Sequence, residues 1–386
     1  MSALLSGYRV LDLTNVLAGP FCCHQLAHLG AEVIKVERPQ GGDLARQLGA
    51  DPELNLDFMG VSFLAQNAGK RSVTLDLKLA DDHRRFLDLV KEADVLVENF
   101  RPGVMQRLGL GYDTLREVNP NLVYCAISGF GQDGPLANYP AYDQIIQGMA
   151  GVMSITGAPD NAPYRVGYPL ADTVGGLTAA MAINAALAER PRHAHFIDIS
   201  MLESVLATMG WAVSNLLIAG KEPQPLGNDN VTASPSGTFR TGDGLINIAA
   251  NKQEQFEAAC HILGHPEWCH DPRFAERQAR LDHRRELSDC IEAALATGTT
   301  EHWWRTLVEA GVPAGPVYSV AEALAHPQVR NRDLIERFNE SSLSRPLEVV
   351  SGGYRVDGQA PRVATPPPRL GADNNALLPA YAANDE

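Results

Sequence analysis

The feature that most constrains this chain is the regular alternation of β-rich and helix-patterned segments over its first 130 residues. Residues 8–13 (YRVLDL) read as a strand, followed by a helical stretch from Ala18-Gly19-Pro20 to His28 that Gly30 stops. Residues 31–36 (AEVIKV), 72–77 (SVTLDL), 93–98 (ADVLVE) and 122–127 (LVYCAI) read as four further strands. Helical patterns over 81–91 and 112–118 lie between them. Short strands separated by helices predict a parallel α/β sheet, because a parallel connection needs a crossover that a helix supplies.

Beyond Tyr168 the pattern changes. Residues 172–187 (DTVGGLTAAMAINAAL) predict an Ala-rich helix with Asp172 as its N-cap. A strand at 195–200 (HFIDIS) and one long apolar helix over 201–217 follow. The Gly/Pro/Asn/Ser-rich stretch 220–237 reads as a boundary. A compact αβ unit then spans about 240–320, with a strand at LINIAA, helices at 253–263, 284–296 and 300–310, and a turn at GVPAGPV. The tail from Gly352, with Pro361, Pro366, Pro367 and Pro368, is expected to be extended.

Composition narrows the function classes. Hydrophobic residues make up 45% of the 386, ample material for a packed core. Net charge is −14, from 46 acidic against 32 basic residues, which argues against a nucleic-acid partner but leaves room for a small anionic ligand. No run reaches the roughly 18 apolar residues of a membrane span, and the N-terminus lacks the charged, apolar and small-residue regions of a signal peptide. Six scattered cysteines fit a reduced compartment. The expectation is a cytoplasmic protein with no membrane partner.

Several motifs are set aside. Residues 129–134 (GFGQDG) match a dinucleotide fingerprint after a strand, but Pro135, Asn138, Tyr139 and Pro140 prevent the helix that would meet a pyrophosphate. Gly69-Lys70-Arg71-Ser72 lacks the rest of a P-loop. Cys260, His261, His265, Cys269 and His270 match no common zinc spacing, so no metal ligand set is assigned. A G-x-S-x-G nucleophile elbow is absent.

Two features carry chemistry. Asp172 stands at the start of an apolar helix, where the helix dipole favours an ionised carboxylate, and Gly175-Gly176 one turn later permit close approach of a backbone or ligand. Arg38, Lys70, Arg71, Lys78, Arg101 and Arg107 lie near the C-terminal ends of predicted strands or in the loops after them. Ligands of open parallel sheets bind at that edge, so these cations suggest a phosphate-bearing molecule.

Together these segments resemble the class III CoA-transferases, the CaiB/BaiF family that includes formyl-CoA and carnitine CoA-transferases. The matching stretches are GYRVLDLTNVLAGP (7–20), LGAEVIKVERPQGGD (29–43), NAGKRSVTLDLK (67–78), ADVLVENFRPGVMQRLGLGYDTL (93–115), SGFGQDGP (128–135), PAYDQIIQGMAG (140–151) and HFIDISMLESVL (195–206). GVPAGPVYS (311–319) and PPPRLG (366–371) resemble later landmarks, so the likeness runs in order over nearly the whole chain. The resemblance implies Asp172 as the catalytic aspartate. It places Leu17, Ala18, Arg38, Leu75, Lys78, Asn99, Phe100, Arg101, Arg107, Tyr142 and Asp143 where CoA is held or the active site is bordered.

The same resemblance implies a Rossmann-like parallel-sheet large domain built from both termini (1–218 and 323–386), a smaller α/β domain (225–320) and an interlocked homodimer. The implied reaction moves CoA from an acyl-CoA, such as succinyl-CoA or another dicarboxylyl-CoA, to a carboxylic acid. It runs through an aspartyl-CoA thioester on Asp172, with backbone amides near the helix start and Gly175-Gly176 as oxyanion donors. Acyl-CoA enters as substrate, with no tightly bound cofactor.

Three departures stand out. Formyl-CoA transferases carry Gln at the Leu17 position and a Gly-rich loop where this chain has 227–230 (GNDN) and 234–237, which argues against oxalate as acceptor. The usual Thr-Gly-x-Gly before HFIDIS is RPRHA here. The related α-methylacyl-CoA racemases have Gly-His-Asp where this chain has Ala141-Tyr142-Asp143, and racemisation needs that second base. A racemase, or a non-catalytic acyl-CoA-binding protein, are the alternatives.

Overall fold

A computed structural model describes residues 3–339, 343 and 346–378. The described chain groups into two compact units, one containing residues up to 152, 165–221 and from 330 onward, the other 153–164 and 222–329. Residues 379–386 of the expected C-terminal stretch lie outside the described residues.

The first unit is organised by a six-stranded parallel sheet. Its strands are β1 (Arg9–Asp12), β2 (Glu32–Glu37), β3 (Lys70–Thr74), β4 (Val95–Glu98), β5 (Val123–Ser128) and β6 (His195–Ser200), in the order β3-β2-β1-β4-β5-β6. The order reverses between β1 and β4, which pair in register Val10↔Val95. That reversal opens a crevice outside the carboxyl ends of the strands, the usual ligand position in such sheets. Residues of β2, β4 and β5 are almost continuously buried, as expected where both faces are covered, whereas the edge strand β6 leaves Phe196 exposed. One core cluster packs Leu11, Ile34, Val73, Leu96 and Tyr124 against Phe86, Leu89 and Val90. These last three come from α2 (Ala80–Lys91), which follows α1 (Ala18–His28).

The C-terminal segment closes the β3 edge. Asp373 accepts from Arg71 Nε at 3.0 Å and from Ser72 N at 2.9 Å, and Asn374 Oδ1 accepts from Thr74 N at 2.8 Å. Backbone groups of an edge strand that would otherwise be open are thereby satisfied.

Short helices α3 (Val104–Arg107) and α4 (Tyr112–Val118) follow β4, and α5 (Asp143–Met149) follows β5. Next comes the long apolar α6 (Leu170–Ala188), with a mean hydropathy of 1.3, long and apolar enough by length and composition to cross a membrane. Asp172, Thr173, Thr178 and Asn184 interrupt it, so it is not an unbroken apolar run even though its Ala and Leu content raises the average. In the fold α6 packs on α1 so closely that a Cβ at Gly176 would lie 2.5 Å from the Ala18 carbonyl oxygen. The single helix expected over 201–217 is two, α7 (Met201–Thr208) and α8 (Trp211–Ala219), bent by 80°. Gly210, with φ of +53°, makes the break.

In the second unit β7 (Ser236–Arg240), β8 (Leu245–Ala249) and β9 (Ala314–Pro316) form an antiparallel sheet. The stretch GVPAGPV, expected as a turn, contributes β9, because Ile246↔Pro316 and Ile248↔Ala314 complete the ladder. Helices α9 (Gln253–Ile262), α10 (Arg284–Leu295) and α11 (Thr300–Glu309) supply its core, with Phe256, Cys260, Ile291 and Leu307 around Phe239 and Ile248. Cys260 is buried among these side chains, which accounts for it without a metal.

Candidate functional site

A cleft of about 580 Å³ opens at the carboxyl ends of the first unit's strands. Its walls include Leu13 and Val16 after β1, Arg38 after β2, Leu75 and Lys78 after β3, and Phe100 after β4. The structure thus brings together Arg38, Leu75, Lys78 and Phe100 from the loops after three different strands. Arg38 and Lys78 are exposed, and among the described residues neither they nor Arg101 and Arg107 are held in an ion pair. Arg101 and Arg107 flank the cleft, just before and at the end of α3, whose Val104 lines it.

Two of the expected cations belong elsewhere. Lys70 and Arg71 open β3 rather than follow it, because the strand begins two residues before the β-branched run. Lys70 is fully buried, with Nζ 2.8 Å from Asp12 Oδ2 and 2.9 Å from Pro20 O. Arg71 joins Glu32 and Asp373. Their charges are consumed by structure.

Part of the cleft wall, through Asn15, Val16 and Glu37, belongs to a largely buried polar framework without a local sequence signature. Asn99 and Asn15 exchange paired hydrogen bonds at 2.8 Å, tying the loop after β4 to the loop after β1 across the reversal point. Val16 is held at φ of +66°, a costly conformation for a β-branched residue, with its N–H donating to Asp43 Oδ1 at 2.9 Å. Asp43 is in turn paired with buried Lys35 at 3.0 Å, and Glu37 with buried Arg46. This anchoring fixes the Val16–Leu17–Ala18 turn, where Ala18 starts α1 and faces Gly176. Strain held by surrounding contacts is characteristic of ligand-facing loops. Glu98, at the end of β4, accepts from Phe100 N at 2.7 Å, and burial pushes its carboxyl up to about 7.

Asp172 occupies the third position of α6, whose N-cap is Pro169 with no side-chain cap. The expectation that Asp172 is the cap is therefore corrected. That role is filled from α5: Asp143 Oδ1 accepts from Ala171 N at 2.7 Å and lies 3.4 Å from Asp172 N. Gln147, fully buried, donates to Asp143 Oδ2 at 2.7 Å and to Tyr168 O at 3.3 Å, while its Oε1 accepts from Val166 N at 2.9 Å. This clasp holds the segment leading into Asp172. Leu170 N and Thr173 N are also satisfied, by Tyr168 O and Pro169 O.

The expected oxyanion donors fail on the same ground. Amides of the first turn are already engaged, and Gly175 and Gly176 sit inside the helical ladder. Their missing side chains serve packing, against Met201 and Ala18 respectively.

The Asp172 carboxylate has no hydrogen-bond partner among the described residues. Burial first, and the nearby Asp143 charge second, push it up to about 7. A partly buried, unpaired acid with a strongly raised pKa is characteristic of a functional carboxylate. Asp172, Asp143 and Tyr142 do not line the 580 Å³ cleft. Tyr142 is 70% exposed, whereas Asp143 is 8% exposed with both oxygens engaged by protein. Sequence reasoning missed Glu98, Asn15, Asp43 and Gln147, whose significance depends on partners 2 to 84 residues away.

The family model described as CoA-transferase family III matches residues 5–374. An acetyl-CoA:oxalate CoA-transferase of Acetobacter aceti is 40% identical over 98% of this chain and 95% of its own length. A succinate–glutarate CoA-transferase of Agrobacterium fabrum is likewise 40% identical, over 97% of this chain and 94% of its own. Among solved structures, a CAIB/BAIF family protein from Brucella suis superposes with a TM-score of 0.85 at 33% identity, covering 97% of this chain and 98% of that one.

Proposed function

Because the chain belongs to CoA-transferase family III, we propose that it transfers CoA from a dicarboxylyl-CoA such as succinyl-CoA to a second carboxylic acid through an aspartyl thioester on Asp172. The observation that carries this reading is the raised carboxyl of Asp172 at the first turn of α6, without a hydrogen-bond partner among the described residues. A carboxylate of higher basicity is a stronger nucleophile once ionised, and near neutral pH half of it is ionised.

An Asp172 oxygen attacks the thioester carbon of the donor, and the C–S bond breaks to release CoA thiolate, leaving a mixed anhydride. The thiolate attacks the aspartyl carbonyl carbon and expels the donor acid as its carboxylate, leaving aspartyl-CoA thioester. The acceptor carboxylate then attacks that carbonyl, and thiolate leaves again. Attack of the thiolate on the acceptor's acyl carbon gives the new acyl-CoA and restores Asp172. No net proton is consumed.

Arg38 and Lys78, exposed at the 580 Å³ cleft and without an ion pair among the described residues, suit CoA phosphates, with Arg101 and Arg107 beside them. Leu75 and Phe100 offer apolar surface, and Asn99, bonded to Asn15, braces the loop that leads into the Leu17–Ala18 turn. Asp143 is a positioning residue for Asp172, and exposed Tyr142 borders the acyl group.

The assembly in this reading is an interlocked homodimer. Support comes from the apolar surface of α6 and α8, where Met181, Trp211, Leu217 and Ile218 are exposed, the last by 86%. Monomers rarely leave such a set uncovered. A second copy would cover it and would let Asp172 meet a substrate that the cleft alone does not bring to it.

Relatives named for oxalate and for glutarate stand at equal identity. Leu17 and the 227–237 sequence favour the longer dicarboxylates. The decisive experiment incubates the protein with succinyl-CoA, adds hydroxylamine and maps the product by mass spectrometry. A hydroxamate on Asp172 is expected, together with CoA transfer to glutarate. A modification elsewhere, or none during active transfer, refutes the assignment.

A further inference from the structure

The turn RPRHA (190–194) between α6 and β6 contributes one histidine, His193, and sets it beside His195 at the start of β6 and an acid at the end of α6. Glu189 is the C-cap just after α6, His193 lies in the turn, and His195 opens β6. Their ligand atoms all lie within 4.8 Å of one another. His193 Nδ1 is 3.3 Å from Glu189 Oε2, and His195 Nε2 contacts that same oxygen. The two imidazole rings tilt toward each other with centroids 4.2 Å apart.

We propose that Glu189, His193 and His195 form a binding site for one divalent transition-metal ion of the zinc type. Two imidazole nitrogens and one carboxylate oxygen are the donors that borderline ions select. Magnesium and calcium would instead demand mostly oxygen. In a tetrahedral site with metal–ligand distances of about 2.0–2.2 Å, donor atoms stand roughly 3.3–3.5 Å apart. The His193–Glu189 separation already meets this, so only small side-chain rotations are needed. Binding replaces the His195–Glu189 hydrogen bond, with the ring proton of His195 residing on Nδ1 and Nε2 taking the metal. Water completes the fourth position, since His193 and Glu189 are both well exposed.

The site lies at the amino-terminal edge of the sheet, where β6 begins, while the cleft lies at the carboxyl-terminal edge. Its effect is therefore a staple between α6 and β6, two elements with only a short connection between them, rather than a step in transfer chemistry.

The test uses tag-free full-length protein, stripped with chelator and titrated with zinc chloride by calorimetry, with X-ray absorption at the zinc edge. One zinc per chain is expected, with a nitrogen/oxygen shell near about 2.0 Å and no sulfur shell at about 2.3 Å. His193→Ala and Glu189→Gln should each raise the Kd at least tenfold, while CoA transfer by the zinc-free variants matches that of the zinc-free parent. His193 sits in an exposed turn, so its loss does not threaten folding. Substoichiometric zinc, a sulfur shell from the cysteines, or a Kd unmoved in both variants overturns the proposal.

Discussion

Replacing Asp172 with Asn should stabilise the protein while abolishing its activity, and the size of the gain follows from the site. Holding a carboxyl at about 7 instead of 3.8 means the fold disfavours the ionised form by roughly 4 kcal/mol, at about 1.4 kcal/mol per tenfold change in protonation equilibrium. The sign follows from proton linkage. Between pH 3.8 and 7 the folded state binds more protons at Asp172 than the unfolded chain does, so this residue's contribution to stability falls as pH rises. The penalty is absent below about pH 4 and complete above about pH 7. Asparagine has the same size, never ionises and removes it. Urea denaturation of parent and Asp172→Asn at fixed protein concentration, from pH 4 to 8, should give curves that coincide at the acid end. They should then diverge by up to about 1.4 kcal/mol per pH unit toward a plateau of a few kcal/mol. A difference independent of pH, or a variant less stable than the parent at pH 8, would refute the burial argument. The same exchange illustrates a wider trade, in which an active residue is kept at the expense of the fold.

Other consequences concern the neighbours. The single-turnover rate of donor-acid release should rise with pH and inflect near 7, falling about tenfold from its plateau one unit lower. Asp143→Asn should move that inflection to lower pH without returning it to an ordinary carboxylate value, because burial is the larger cause; an unmoved inflection would show that Asp143 is electrically silent. Arg38→Ala and Lys78→Ala should each raise the KM for acyl-CoA by about 5- to 30-fold with little change in Tm, as expected for lost charge-assisted hydrogen bonds of about 1–2 kcal/mol. Gly176→Ala drives a methyl to 2.5 Å from the Ala18 carbonyl, so thermal unfolding should reveal about 1–3 kcal/mol of destabilisation.

Local patterning made much of the architecture legible. Five runs of β-branched and aliphatic residues in the first 130 positions, alternating with helical periodicity, predict a parallel α/β sheet, and the strand read separately at 195–200 joins that sheet as its sixth member. Asp172 was recognisable because it is the one acid in an otherwise apolar helix. These signals survive in sequence because strand and helix periods are set by residues two to four apart.

Tertiary structure decided what those residues do. Strand order places the β1 and β4 loops side by side, and with them Asn15 and Asn99, 84 positions apart. The cap of α6 comes from Asp143, across 28 residues, so the Asp172 carboxylate is not used as the cap and has no partner among the described residues. Lys70 and Arg38 look alike as cations near strands, yet one neutralises Asp12 inside the core and the other faces the cleft. Hydrogen bonds and desolvation depend on which groups meet after the chain has closed on itself, and no local periodicity encodes a partner that distant.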